Sequence, residues 1–197
     1  LSAPNQQEVF DYYYDGGLPV YPLPRGLGGD DVATLDETQQ IIAEHDRIFA
    51  VLWGTSERDP NNVVESTLDS QAFEASSAWY GDVRLVRYAT PVTFDTVINV
   101  DAEFGEHITL ESYALNTDEF MVGDVLQLQL VWTTDAPLDT RYKVFVQLLD
   151  ETGFVVAQRD SEPGGNQRVT TSWTPDEQVV DNHAVIIPNS LTPANYS

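Results

Sequence analysis

Two sets of side chains alternate one by one along the segment 125–132 of this chain. One set is apolar and the other is largely polar: Leu126, Leu128, Leu130 and Trp132 against Val125, Gln127, Gln129 and Val131. A period of two residues is typical of a β-strand that covers a hydrophobic core with one face. Asp, Gly and Pro punctuate the surrounding segment 104–173 roughly every eight to twelve residues, the rhythm of an antiparallel β-sandwich. The pattern therefore predicts a fold of a kind that more often binds or braces other molecules than catalyses.

After Pro91 the sequence predicts β-strands alone. They are expected at 93–100, 107–115, 124–132, 142–149, 154–158 and 178–187, with a hairpin turn at 150–153. In the second of these, Ile108 and Leu110 share one phase whereas Tyr113 and Leu115 share the other. That slip predicts a β-bulge, or a strand that crosses between two sheets.

Before Pro91 helical and strand patterns alternate. Helices are expected at 5–14, at 34–45 behind the capping box Thr34–Glu37, and at 59–68, where Asp59 and Pro60 would open the helix. The continuous apolar run 47–53 predicts a central strand of a parallel sheet, buried on both faces. Two further strands, 73–80 and 83–88, would be joined by a turn at 81–82.

These patterns predict an α+β protein with two parts. The first, 1–91, is a small α/β unit like half of a Rossmann fold, and the second, 92–197, is an antiparallel β-sandwich of jelly-roll or immunoglobulin-like type. Residues 1–4 read as the tail of a strand, and 191–197 stop where another strand is expected. We therefore expect the first part to be truncated at its N-terminus and the second at its C-terminus.

The chain is strongly acidic. Its 197 residues include 32 acidic and 9 basic ones, which gives a net charge of −23, and Lys143 is the only lysine. That charge disfavours nucleic acid and anionic lipid headgroups as ligands, because no basic stripe offsets it. The absence of Cys excludes disulfides and thiolate metal sites. No apolar run reaches the roughly 20 residues of a membrane-spanning helix.

Catalytic motifs are missing. His45, His107 and His183 lie in no metal-ligand spacing, which is typical of surface or helix-end residues, and no serine lies in a GxSxG motif. The glycine-rich loop 25–31 lacks the Lys-Ser/Thr of a phosphate-binding loop. The sequence thus assigns no catalytic residue, cofactor or metal. A calcium ion at a sandwich edge remains an alternative, because acidic residues are dense.

Aromatic side chains are the candidate ligand-binding residues, because flat rings stack on the apolar faces of sugars. The candidates are Tyr12, Tyr13, Tyr14, Trp79 and Trp173. The alternative interpretation is structural: Trp53 and Trp132 would belong to the core, and Trp79 and Trp173 would seal interfaces.

Four segments together resemble one family. They read NQQEVFDYYYDGGLPVYPLPRG, DRIFAVLWGTSERDPNNVVESTLDSQAFEASSAWYGDVRLVRY, FGEHITLESYAL and VFVQLLDETGFVVAQRDSEPGG, the last followed by TSW. They are similar to the C-terminal soluble region of bacterial membrane glycosyltransferases of the dolichyl-phosphate-mannose protein mannosyltransferase-like kind, especially those of Chloroflexi. The family's GD-x-L-x-L-x-x-x-W strand matches 123–132, and its VFV-x-LLD-x-x-G hairpin matches 144–153.

The resemblance implies a non-catalytic, extracytoplasmic accessory region, because the family's catalytic acids lie in a membrane part that this chain lacks. Its partners would be the rest of the membrane-embedded parent protein, another envelope subunit or a glycan, and the chain alone would not be an enzyme. Two alternatives stay open at this point: a scaffold or assembly subunit of a cell-envelope complex, and a free-standing carbohydrate-binding module.

Overall fold

A computed structural model describes residues 1–2, 7–26, 29–94, 96–192 and 194–196. The chain divides into two compact units. One, here called the mixed unit, comprises Leu1–Ala72 and Ser77–Thr90, and the other, here called the β unit, comprises Phe73–Ser76 and Pro91–Ser197. That the segments 1–91 and 92–197 are separate folding domains stays a prediction.

Most of the regular structure is antiparallel β-sheet, so the fold is of the α+β kind. The described residues contain nine strands in three sheets, together with a few short helices. None of these helices is both long enough and apolar enough to cross a membrane.

The mixed unit contains all the α-helices of the described residues. In chain order its elements are α1 (Gln7–Tyr13), α2 (Asp31–Glu44), β1 (Arg47–Leu52), α3 (Thr55–Arg58), α4 (Val63–Gln71), β2 (Phe73–Tyr80) and β3 (Val83–Ala89). The end of β2 belongs to this unit and its start to the β unit. The strands form a sheet in the order β1-β3-β2, and the core of the unit is built by Leu23, Ile41, Ala50, Leu52, Val64, Leu68, Val86 and Tyr88.

The parallel strand predicted at 47–53 is wrong. The strand β1 exists, but it pairs antiparallel with β3, with Arg47 opposite Ala89 and Leu52 opposite Arg84. Nor is it buried on both faces, since Ala50 and Leu52 are buried while Phe49 is 48% exposed. A continuous apolar run is compatible with either direction of pairing. Here the chain turns tightly after β2, and β3 lies between β2 and β1 in the sheet, so the neighbour of β1 is the antiparallel β3. Gly81 provides the left-handed conformation of that turn, with φ 62°.

Two helices begin elsewhere than predicted. Helix α2 begins at Asp31, because the carboxylate of Asp30 accepts the Ala33 N–H at 3.0 Å and caps it, so Thr34 lies inside the helix. Helix α4 begins at Val63, after the turn that contains Pro60. The buried carboxylate of Asp59 still satisfies its first amides, from Val63 at 2.8 Å and Val64 at 2.9 Å. For the helix predicted at 5–14, residues 5 and 6 lie outside the described residues.

The β unit contains two sheets besides the start of β2. Strands β4 (Val97–Phe104), β5 (Ile108–Leu115), β6 (Val125–Thr134) and β9 (Val179–Ile186) pair antiparallel in the order β4-β5-β6-β9. Strands β7 (Val144–Leu149) and β8 (Val155–Ser161) form a hairpin. Its predicted turn is confirmed, since the Asp150 carboxylate accepts the Thr152 and Phe154 amides at 2.8 and 3.0 Å.

The phase slip read in β5 is confirmed as a register shift. It lies between Leu110 and Ser112, where β5 pairs with β6. The alternation in β6 holds on its apolar side, because Leu130 and Trp132 are buried in a cluster with Trp173 and Val179. Its other side is not uniformly open to solvent, since Gln127 is buried opposite the buried Ala184 of β9.

Candidate functional site

An aromatic cleft opens at one end of the four-stranded sheet in the β unit. Its volume is about 490 Å³, within the range of roughly 300–1,000 Å³ that is usual for ligand sites. Residues from the β4–β5 turn, from β6, from the segment before β7 and from the loop after β8 line it. We call it the aromatic cleft, and its four rings are Phe104, Trp132, Tyr142 and Trp173.

The floor of the cleft consists of two buried tryptophans. Trp132 lies on β6 and Trp173 follows a 3-10 turn at Thr170–Ser172. The Trp173 indole N–H donates to the Arg168 carbonyl at 2.8 Å, which satisfies its one polar atom. Phe104, half exposed, stands edge-on to Trp132 with ring centroids 5.3 Å apart. The floor is therefore formed by packed, buried rings, and Phe104 presents an accessible ring.

The cleft is also lined by Tyr142, which is about half exposed. Its backbone amide donates to the Thr170 hydroxyl at 3.0 Å, and that hydroxyl donates to the Thr140 carbonyl at 2.7 Å. Thr170 is itself buried. One buried hydroxyl thus ties the segment that bears Tyr142 to the segment that bears Trp173.

The rim of the cleft carries a few polar groups of both signs. Glu106, His107 and Lys143 line it, and His107 Nδ1 lies 2.8 Å from the Asp135 carboxylate. No described carboxylate lies within ion-pair distance of Lys143. The only lysine of a chain of net charge −23 thus lies at this rim.

Two ion pairs stabilise the loop behind the cleft. Arg141 pairs with Glu162, and its hydrogen bond holds the pKa of the Glu162 carboxyl below its ordinary value. Arg168 pairs with Glu177. The pKa of Glu177 falls to about 2, chiefly because the Thr174 hydroxyl donates to it and then because of Arg168. Both carboxylates stay charged at neutral pH: Glu162 ties the start of this loop to the segment before β7, and Glu177 joins two positions within the loop.

The mixed unit has a cavity of its own, of about 480 Å³. Its walls are almost wholly apolar and include most of that unit's core, with Phe10 and Tyr14 at one side. Polar groups on its wall include Tyr21 and His45, whose hydroxyl and Nε2 lie 2.8 Å apart, and also Ser2, Thr38 and Arg47.

The structure does not bring the sequence-predicted ligand residues into one site. Tyr12 and Tyr13 on α1 are both 81% exposed and pack edge-on against each other, and Tyr14 lines the cavity of the mixed unit. Trp79, 67% exposed, lies at the end of β2 under the Arg84 guanidinium, 5.9 Å from the ring centroid. Trp173 alone lines the aromatic cleft. Trp53, expected in the core, is exposed.

Several residues of the site are absent from the sequence-based predictions. Phe104 and Tyr142 were not singled out, because single aromatics beside turns carry no periodic signal. Asp181 and His183 are buried on β9, so the expectation that lone histidines lie at the surface is wrong for His183. A signal for this pair existed, since both share the phase of Val179 and Val185 on the core side of a predicted strand.

Few groups capable of acid–base chemistry are among the described residues that line the cleft. Glu106 is the only carboxylate among the described lining residues, whereas glycoside cleavage ordinarily uses a pair of carboxyl groups about the bond. Among the described residues, no group of three or more His, Asp or Glu side chains is placed to hold a metal ion.

Comparison of the chain with protein-family models, with curated proteins and with solved structures gave no match.

Proposed function

We propose that this chain is a non-catalytic accessory region of a membrane glycosyltransferase, in which the aromatic cleft holds a glycan or the acceptor. The observation that carries the proposal is the cleft itself. Four aromatic rings converge on one concave site of about 490 Å³, with a small number of polar groups at the rim. The resemblance of the sequence motifs to the family's soluble region supplies the biological setting.

Sugar rings fit such a site because their C–H faces are apolar and their edges carry hydroxyls. The accessible rings of Phe104 and Tyr142 would cover the faces, and Glu106, His107 and Lys143 would hydrogen bond at the edges. The net charge of −23 favours a neutral ligand over a polyanion. A shallow stacking site of this kind binds in the millimolar range, about −4 kcal/mol.

The setting that we propose is extracytoplasmic, with the chain tethered through a membrane region of a longer parent protein. Its partners there are the remainder of that protein or another envelope subunit. In that setting the net charge of −23 would keep the surface away from anionic lipid headgroups.

For the fold family, we propose that the four-stranded sheet and the β7–β8 hairpin are two layers of a sandwich of jelly-roll or immunoglobulin-like type. The buried cluster of Leu130, Trp132, Trp173 and Val179, with Leu138 and Val144 against it, supports this arrangement. A half-Rossmann unit is not proposed for the mixed unit, because that fold requires parallel strands and β1 pairs antiparallel with β3.

The test is a glycan array followed by titration calorimetry of the glycans retained. Tyr142→Ala removes an accessible ring of the cleft, and we expect it to weaken binding about tenfold, since aromatic contacts of this size contribute about 1.4 kcal/mol. Tyr13→Ala, which removes a more exposed ring of the same type from α1, is the matched control and should leave the affinity unchanged.

Equal losses in the two variants would contradict the assignment to the cleft. Silence across all glycans would favour the scaffold alternative, which has an observation of its own. The β7–β8 hairpin exposes Phe145, Phe154 and Val155, an apolar surface that another subunit could cover.

A further inference from the structure

Strand β9 buries an ionisable pair in the β unit. Asp181 is 0% exposed and His183 is 1% exposed, and both face the same side of the sheet as Val179. A buried carboxylate is costly to the fold unless hydrogen-bond donors surround it. The donors that the structure gives Asp181 come from three different segments.

Each of these donors lies within hydrogen-bond distance of the carboxylate. The Gly164 amide donates to Oδ1 at 2.9 Å, the Trp132 indole N–H donates to Oδ2 at 3.3 Å, and His183 Nε2 lies 2.7 Å from Oδ2. The Gly164 amide and the Trp132 indole N–H can only donate, so both carboxylate oxygens of Asp181 act as acceptors. The carboxylate thus joins β6, β9 and the loop after β8 at one point.

Two of these segments belong to the aromatic cleft. Trp132 is part of its floor, and Pro163, directly before Gly164, lines its wall. We infer that Asp181, which has no exposed surface, is a positioning residue of the cleft: it fixes the Trp132 indole and the 163–164 turn relative to each other. This inference rests on the proposed function, because it concerns how the same cleft is held ready for its ligand.

The conformation of the turn supports the assignment. Gly164 has a φ of 61°, and a Cβ added there would lie 2.7 Å from the Cγ of Arg168. A residue with a side chain is therefore excluded twice, by conformation and by space. Glycine therefore allows the turn conformation in which the Gly164 amide donates to the Asp181 carboxylate.

His183 makes a further hydrogen bond to the Asp181 carboxylate but does not link that carboxylate to any other described residue. Its Nδ1 is buried and has no hydrogen-bond partner among the described residues. The bond to Asp181 is the one polar contact that those residues give the ring, so the orientation of the imidazole depends on Asp181.

The substitution Asp181→Asn tests the inference, because it keeps the shape and replaces an accepting oxygen by an NH₂ group. We expect glycan affinity to fall about tenfold, equivalent to about 1.4 kcal/mol. We also expect the Gly164 amide and the Trp132 indole proton to exchange with solvent at least about tenfold faster by NMR, since weakened bonds open more often. Asn182→Ala is the matched control, since Asn182 bonds to Gln129 on the other side of the sheet and should change neither readout.

Trp132→Phe separates positioning from a general loss of stability. It keeps an aromatic ring in the floor but removes the N–H donor. If Asp181 acts through the indole, Asp181→Asn should cost less affinity in the Trp132→Phe background than in the wild type. Additive losses, or wild-type affinity in folded Asp181→Asn, would overturn the inference.

The exchange measurements distinguish this inference from the proposed function. If the wild type binds no glycan, the proposed function fails, and the exchange rates in Asp181→Asn still decide the role of Asp181. If Asp181→Asn does not fold, the amide exchange rates of the wild-type protein test the role of Asp181 instead. A Gly164 amide that exchanges as fast as the neighbouring Gly165 amide would show that Asp181 does not hold the turn.

Discussion

The tyrosines of α1 and the aromatic rings of the cleft show opposite ways of presenting a ring to a ligand. Tyr12 and Tyr13 are far more exposed than Tyr142, but the helix that carries them buries none of its own residues. Tyr142 is only about half exposed, but its backbone amide is hydrogen bonded to the hydroxyl of the buried Thr170. An isolated helix of seven residues is marginal in water, so its side chains are accessible without being positioned.

This contrast affects the free energy of ligand binding. A ring that must be ordered on binding costs about 0.5–1.5 kcal/mol for each immobilised side chain, which is comparable to what one stacking contact contributes. In the cleft, Trp132 and Trp173 are already packed in the core of the folded protein, so binding does not have to order them. We therefore place the site among the less exposed rings.

The largest expected effect is on the fold of the β unit. Trp132→Ala removes a buried indole that packs with Leu130, Trp173 and Val179, and we expect the free energy of unfolding to fall by about 3–5 kcal/mol. Urea denaturation followed by circular dichroism measures it. Trp79→Ala, at an exposed ring of the mixed unit, should change it by less than about 1 kcal/mol. Similar losses in both variants would contradict the burial pattern.

The mixed unit should respond to loss of its helix cap. Asp59→Ala removes the carboxylate that accepts the Val63 and Val64 amides, so we expect a loss of about 1–2 kcal/mol. Asp36→Ala, at an exposed position of α2, is the control and should stay within about 0.5 kcal/mol. If Asp59→Ala binds glycan more weakly under conditions in which it is fully folded, the mixed unit contributes to binding.

Acid should act on the β unit through Glu177. Its pKa in the folded protein is about 2 and lies below its ordinary value of 4.5, so its contribution to stability is complete above pH 4.5. That contribution is lost as the pH falls from 4.5 toward 2. We expect Glu177→Gln to be less stable than the wild type at pH 7, with the difference disappearing near pH 2.

Denaturation curves of the two proteins between pH 2 and pH 7 give this difference directly. Glu103→Gln, on the exposed strand β4, serves as a charge-matched control. If the Glu177→Gln difference is the same at every pH, the ionised carboxylate is not what holds the loop behind Trp173.

The smallest effect is expected at the rim. Lys143 is exposed, and exposed charges contribute about 0–1 kcal/mol, so Lys143→Gln should change the affinity for a neutral glycan less than about threefold. Calorimetry with the best glycan of the array measures this. A much larger loss would mean that charge, and not ring stacking, selects the ligand, and would move the proposal toward acidic sugars.

The sequence by itself predicted most of the strands, although the one expected at 93–100 lies at Val97–Phe104, and it predicted one buried core residue, Trp132. Alternation in β6 placed Trp132 inside, the phase slip in β5 marked the register shift, and Gly81 and Gly153 marked two hairpin turns. These features are local: each depends on a period of two residues or on the backbone conformation that one glycine allows.

Only the tertiary structure decided the direction of β1, the location of the cleft and the role of Asp181. An apolar run is compatible with parallel or antiparallel neighbours. The structure places β3 beside β1, and the two strands pair antiparallel. The cleft gathers Phe104, Trp132, Tyr142 and Trp173 from four separate places in the sequence. Their convergence depends on long-range packing and on a buried carboxylate that joins three segments, and no local pattern specifies such contacts.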